Sequence, residues 1–176
     1  MKALERTIVA VALAAFAFTA VACEDSTPTP EQRQAIEQRV RGYLEALASA
    51  YSSLDASKLE PWASDNEIAA VRKVLRTLMA SGDRVDAKLL QVEFDEVAVF
   101  RMVNATVRTV EVWDVGRFDP YTGREKGRNP SSVQHAIIQL RLVNGVWRVT
   151  ARRVLESSGP NRWGLPTPGP KGGTSE

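Results

Sequence analysis

Apolar side chains recur every three or four positions in the first half of the chain and every second position in the last half. Ile36, Val40, Tyr43, Leu44, Leu47, Tyr51 and Leu54 make one stripe along a helix of about five turns. Thr29 stands at the N-cap position, Pro30 suits the first helical residue, and Gln32 has the spacing of a capping-box partner. Arg33, Glu37, Arg39, Arg41 and Glu45 fall mostly off the stripe, toward water. Asp55 then caps an expected short second helix carrying Leu59 and Trp62, limited by Pro61. Ser64 and Glu67 have capping-box spacing for a third helix, with Ile68, Val71, Val74, Leu75, Leu78 and Met79 on one face and Ser81-Gly82 as its stop.

From Lys88 the period becomes two. Leu90, Val92 and Phe94 alternate with Gln91 and Glu93, and Val97, Val99, Phe100 and Met102 follow a break expected at Asp95-Glu96. Another strand is predicted from Ala105 to Val115, and a polar loop from Asp119 to Ser132. The last two strands, Val133 to Val143 and Val146 to Leu155, flank Asn144-Gly145, a strong hairpin signal. A two-residue turn pairs Val143 with Val146, Leu142 with Trp147, Leu140 with Val149 and Ile138 with Ala151. These, with Ala136, predict an apolar face. The opposite face is then His135, Ile137, Gln139, Arg141, Arg148, Thr150 and Arg152. The expected class is α+β, three N-terminal helices packed on a curved antiparallel sheet.

The N-terminus changes where such a domain is expected to work. Lys2 and Arg6 precede an uncharged run from Ile8 to Ala22, 15 residues long, which suits a secretory signal and is short of the ~20 a spanning helix needs. Ala20-Val21-Ala22-Cys23 resembles a bacterial lipobox, with Ala where Leu is usual, and the resemblance implies lipidation of Cys23. A lone exported cysteine has no partner within its own chain, and lipid on its sulfur removes a reactive thiol. The bland alternative is a secreted protein whose only cysteine follows an ordinary cleavage site. The expected organisation is a signal peptide over 1–22, lipidated Cys23 and spacer over 23–30, a domain over 31–156, and a disordered Pro/Gly-rich tail over 157–176. Lys+Arg exceed Asp+Glu by 23 − 21 = 2, so no whole-chain basic footprint points to nucleic acid.

The segments ALASAYSSLDASKLEPWAS (46–64), FDEVAVFRMVNATVRTVEVWD (94–114) and QLRLVNGVWRVTARRVLE (139–156) resemble the NTF2-like superfamily, a cone-shaped α+β fold. The closing Gly-Val-Trp-Arg-Val is most similar to the group containing the intermembrane-space (IMS) domain of plastid-division proteins. The resemblance implies binding as readily as catalysis, and a homodimer through the sheet.

Chemistry is sparse. One cysteine and one histidine cannot build a zinc cluster of recognised spacing, and no phosphate loop, dinucleotide fingerprint or nucleophile elbow is present. No cofactor or metal is expected, and no catalytic residue is assigned. Arg141, Arg148, Arg152 and His135 are the candidate partner-binding face, with the arginine repulsion offset by Glu111 or Asp114, or else by an acidic partner or anionic lipid headgroups. Three readings remain: a lipid-anchored domain that binds an envelope protein partner, a small-ligand module using the cone interior, and a cyclase, isomerase or hydrolase with His135 or Asp114 as base and Tyr121 nearby. Strand register discriminates them, because inward Ile138 and Leu140 favour the first and inward His135 and Arg141 the others.

Overall fold

The computed structural model describes residues 25–158; Cys23 with the apolar run before it, and the segment after Ser158, lie outside the described residues. Helix α1 spans Pro30–Ser53. Its capping box forms as expected: Gln32 N donates to Thr29 Oγ1 at 3.2 Å and Thr29 N donates to Gln32 Oε1 at 3.0 Å. The helix buries Ile36, Val40, Tyr43, Leu44 and Leu47 and ends at Leu54 in the left-handed region, φ 56°.

The expectation of three helices is corrected. Two α-helices are joined by a single four-residue 3-10 turn, Ala56–Leu59. The Asp55 carboxylate starts that turn by accepting from Ser57 N at 2.9 Å and Ser57 Oγ at 2.8 Å. Pro61 has no N–H to continue it, and the chain turns so that Trp62 packs on α1. Gly42 makes room there, since a Cβ at position 42 would lie 2.1 Å from the Trp62 ring. The Arg39 guanidinium stacks 4.9 Å over the same ring and donates to Pro61 O at 2.9 Å. Helix α2 spans Asp65–Ala80, but Ser64 makes no side-chain cap bond. Glu67 is instead buried among α1 residues, so the second capping box does not form.

The sheet is an antiparallel meander of four long strands plus a two-residue edge, in the order β1 (Asp25–Ser26), β2 (Arg84–Phe100), β3 (Asn104–Phe118), β4 (Glu125–Val143) and β5 (Val146–Ser158). Strand β2 runs unbroken through Asp95-Glu96, with bulges between Leu89 and Gln91 and between Phe94 and Glu96. Each bulge resets the side-chain alternation. Leu90, which strict alternation groups with Val92, is therefore exposed while Val92 is buried. The expected loop over 119–132 shrinks to six residues, 119–124, because β4 begins at Glu125. Asp119 folds that turn by accepting from the backbone N–H groups of Tyr121 and Thr122, both at 2.9 Å.

Helices and sheet enclose one apolar core. Val97, Val99, Ala105, Val107, Ile138, Leu140, Trp147 and Val149 pack beneath α1 and the 3-10 turn. Val149 N donates to Trp62 O and Ser64 N donates to Val149 O, so the segment after the turn lies along β5.

Candidate functional site

The hairpin pairs as expected from Val143–Val146 to Leu140–Val149, with Asn144 and Gly145 at φ 51° and 76°. Ile138 and Leu140 point into the core, and His135 and Arg141 are exposed. Beyond Leu140 the register shifts, and Ile138 faces Arg152 rather than Ala151. One extra residue, Thr150, puts Arg152 on the inner face.

The predicted basic face therefore does not exist as a stripe. Arg141 is exposed; Arg148 folds back and donates to the carbonyls of Glu60 (2.6 Å) and Ala63 (3.3 Å); Arg152 lies inside. Of the two carboxylates expected as offsets, Glu111 does meet Arg152, but inside the cone, and Asp114 meets none of the three arginines. Asp114 takes Arg128 through two bonds, at 2.9 and 2.6 Å, which hold its carboxyl below the usual range. Glu111 is fully buried and pairs with Arg152 at 2.5 Å. His135, Asp114 and Tyr121 do not converge: His135 stands opposite Val110 and Glu156, and Tyr121 is 89% exposed on the Asp119 turn.

What converges is a polar set inside the cone. Glu111 on β3 accepts from Thr109 Oγ1 and Trp113 Nε1, both at 2.8 Å, besides Arg152. Arg152 also donates to Gln134 Oε1 at 2.8 Å, while its buried Nε has no hydrogen-bond partner among the described residues. Beside it Tyr43 Oη donates to Glu67 Oε1 at 2.5 Å, joining α1 to α2. Burial raises the Glu67 carboxyl above its ordinary value, against the opposing pull of the Tyr43 hydroxyl and Arg152. Burial, and then the neighbouring Glu67, push the Tyr43 phenol well above its ordinary value.

Two cavities flank Arg152. One, of about 160 Å³, is lined by Tyr43, Leu47, Tyr51, Glu67, Val71 and Arg152 and opens to solvent past exposed Ala70 and Arg153. The other, of about 30 Å³, lies toward Val85, Trp113 and Gln134 and has room for one water. Among the described residues no cluster of His, Cys, Asp and Glu could hold a metal ion.

Part of this set was visible in the sequence. Strict alternation along β3 puts Thr109 and Glu111 on the face of Val107 and Trp113. Nothing in the sequence marked the Thr150 bulge.

No protein-family profile and no curated protein matches this sequence. Among solved structures, the intermembrane space region of chloroplast protein ARC6 superposes with a TM-score of 0.60 at 14% identity, over 69% of this chain and 94% of that one. The fold is an NTF2-like cone. Two proteins with a cystatin-like fold are also similar to this cone, both with a TM-score of 0.43. The one from Nostoc punctiforme is 10% identical over 73% of this chain and 93% of its own. The one from Caulobacter vibrioides is 14% identical over 72% and 91%. At these identities the ARC6 likeness establishes the fold of the NTF2-like cone and leaves its activity to the residues.

Proposed function

We propose that this chain is an exported lipoprotein, anchored through Cys23, whose NTF2-like cone binds a protein partner in the bacterial envelope without catalysing a reaction. The observation that carries the binding half is the solvent-open cavity between α1, α2 and β5. Its volume of about 160 Å³ is below the usual 300–1,000 Å³ of small-molecule sites and suits one or two side chains of an inserted segment. Apolar Leu47, Val71, Val74 and Val154 offer contact area, and Glu67 and Arg153 offer polar ends. The ARC6 region is an instance of the same cone in an intermembrane space.

The test is a photo-crosslinking residue at Ala70, in the full chain in its native membranes. The expected outcome is a discrete protein adduct, absent when the crosslinker stands at Tyr121 and lost when Val74→Trp fills the mouth. No adduct at Ala70 overturns the reading. A second reading, a small-ligand or isomerase-type pocket, draws on the Tyr43–Glu67 pair, a carboxyl raised by burial beside an opening. It predicts a small molecule retained in native mass spectra and lost in Glu67→Gln.

A further inference from the structure

One end of the sheet carries features that folding does not explain. The β2–β3 turn and the β4–β5 turn lie side by side there, since Leu142 N donates to Val103 O at 2.8 Å and Asn104 pairs with Arg141. Both turns pass through two residues of positive φ. One uses Asn144-Gly145, which such turns favour. The other uses Arg101-Met102, at φ 49° and 59°, where L side chains are strained. Met102, Val103, Val143 and Val146 are 40–55% exposed. A thioether held in the left-handed region and left in water adds nothing to the core. Local rules are broken in this way where a surface has another task.

The same end receives the N-terminal segment. Asp25 pairs with Phe100 and Ser26 with Val99, antiparallel to β2, so the chain read backward heads toward the β2–β3 turn. Cys23 precedes Asp25 by two residues, a reach of at most ~7 Å. The two tips, FRMVN (100–104) and RLVNGVWR (141–148), contain Arg101, Arg141 and Arg148 and no acidic residue. Arg141 is exposed with no ion-pair partner among the described residues. The spacer is thus shorter than a free extended segment, because Asp25–Ser26 is tied to the edge of the sheet.

We propose that this end of the cone docks on an anionic lipid bilayer beside the anchor. Met102, Val103, Val143 and Val146 enter the headgroup region and Arg141 meets lipid phosphates. An acyl anchor alone leaves a domain free to tumble. An apolar edge carrying Arg141, next to the acidic Glu24-Asp25 of the spacer, fixes its orientation, with the Asp119 turn held away from the membrane. The proposal rests on the anchored reading above, and the experiment separates the two.

The full lipidated chain is reconstituted into phosphatidylcholine vesicles with or without phosphatidylglycerol, carrying an environment-sensitive fluorophore on Met102→Cys or Tyr121→Cys. Flotation with the vesicles, abolished by Cys23→Ser, reads the anchor. Quenching by headgroup-region spin-labelled lipid reads the docking. The expected result is a blue-shifted, quenched label at position 102, strongest with phosphatidylglycerol, and an aqueous label at position 121. Val143→Asp with Val146→Asp is expected to remove the quenching at 102 while flotation and the far-UV spectrum persist. A chain that floats with both labels equally aqueous overturns the docking and leaves the anchor standing. A chain that does not float overturns both.

Discussion

The inner face of the sheet has two halves built on opposite principles. Toward the hairpin tips, Val99, Val107, Ile138, Leu140 and Val149 pack against the helices with no ionisable group among them. Toward the other end, Thr109, Glu111, Gln134 and Arg152 occupy equivalent inward positions and meet Tyr43 and Glu67 from the helices. The dry half is held by area removed from water and tolerates any close-packed shape. The polar half is held by mutual satisfaction, and each member depends on its partner staying in place. The cavities of about 160 and 30 Å³ lie beside the second half, where side chains fixed by hydrogen bonds cannot slide to fill space. Rigidity and openness therefore have the same origin.

The largest effect is expected from breaking the polar half at its centre. Glu111→Ala strands the Arg152 guanidinium in the interior, and the expected loss is about 3–5 kcal/mol by chemical denaturation. The double replacement Glu111→Leu with Arg152→Met removes both charges and is expected to recover most of that loss. If it recovers none, the half is held by shape and not by pairing.

Ile138→Ala probes the dry half. Its side chain is fully buried, and the expected cost is about 2–4 kcal/mol with no dependence on pH. At the seam between helix and turn, Gly42→Ala drives a methyl into the Trp62 ring, with an expected loss of about 1–3 kcal/mol. A smaller loss would mean that Trp62 moves freely.

The pH dependence separates two buried carboxyls of opposite sign. Folded Glu67 holds its proton above the ordinary value of 4.5, so the stability that this protonation contributes is present below 4.5 and lost as pH rises through the raised value. Glu67→Gln is expected to flatten that decline in a series of thermal midpoints. Asp83, at the corner between α2 and β2, behaves the other way. Arg117, Ser81 and Lys126 hold its carboxyl well below 3.8, so its contribution is present above 3.8 and lost as pH falls. Asp83→Asn is expected to remove this acid sensitivity together with the ion pairs. The smallest effect belongs to Arg141→Glu, an exposed change expected to shift stability by less than about 0.5 kcal/mol.

Both α-helices, the start of α1, the position of the closing hairpin and the inward set Ala136, Ile138 and Leu140 were legible in the sequence. They depend on local matters: capping geometry, an Asn-Gly turn, and a period of 3.6 or 2 that any burial must respect. The second helix was overread because a cap and two apolar residues can also start a 3-10 turn, and only the docking of Trp62 on Gly42 chooses between them. The arginine stripe was misread for a different reason. Alternation is a rule of parity, and one bulge at Thr150 inverts it for the residues that follow, up to a second shift at Leu155. That bulge is set by how β5 is matched to β4 on one side and to the Trp62–Ser64 segment on the other. The sequence by itself determined which elements exist and which face of each is apolar. The tertiary structure decided that Arg152 enters the cone, that Glu67 gives up its capping position for Tyr43, and that the two hairpin tips stand beside the N-terminal strand. Each of those depends on groups distant in the chain arriving together, and no local period records that.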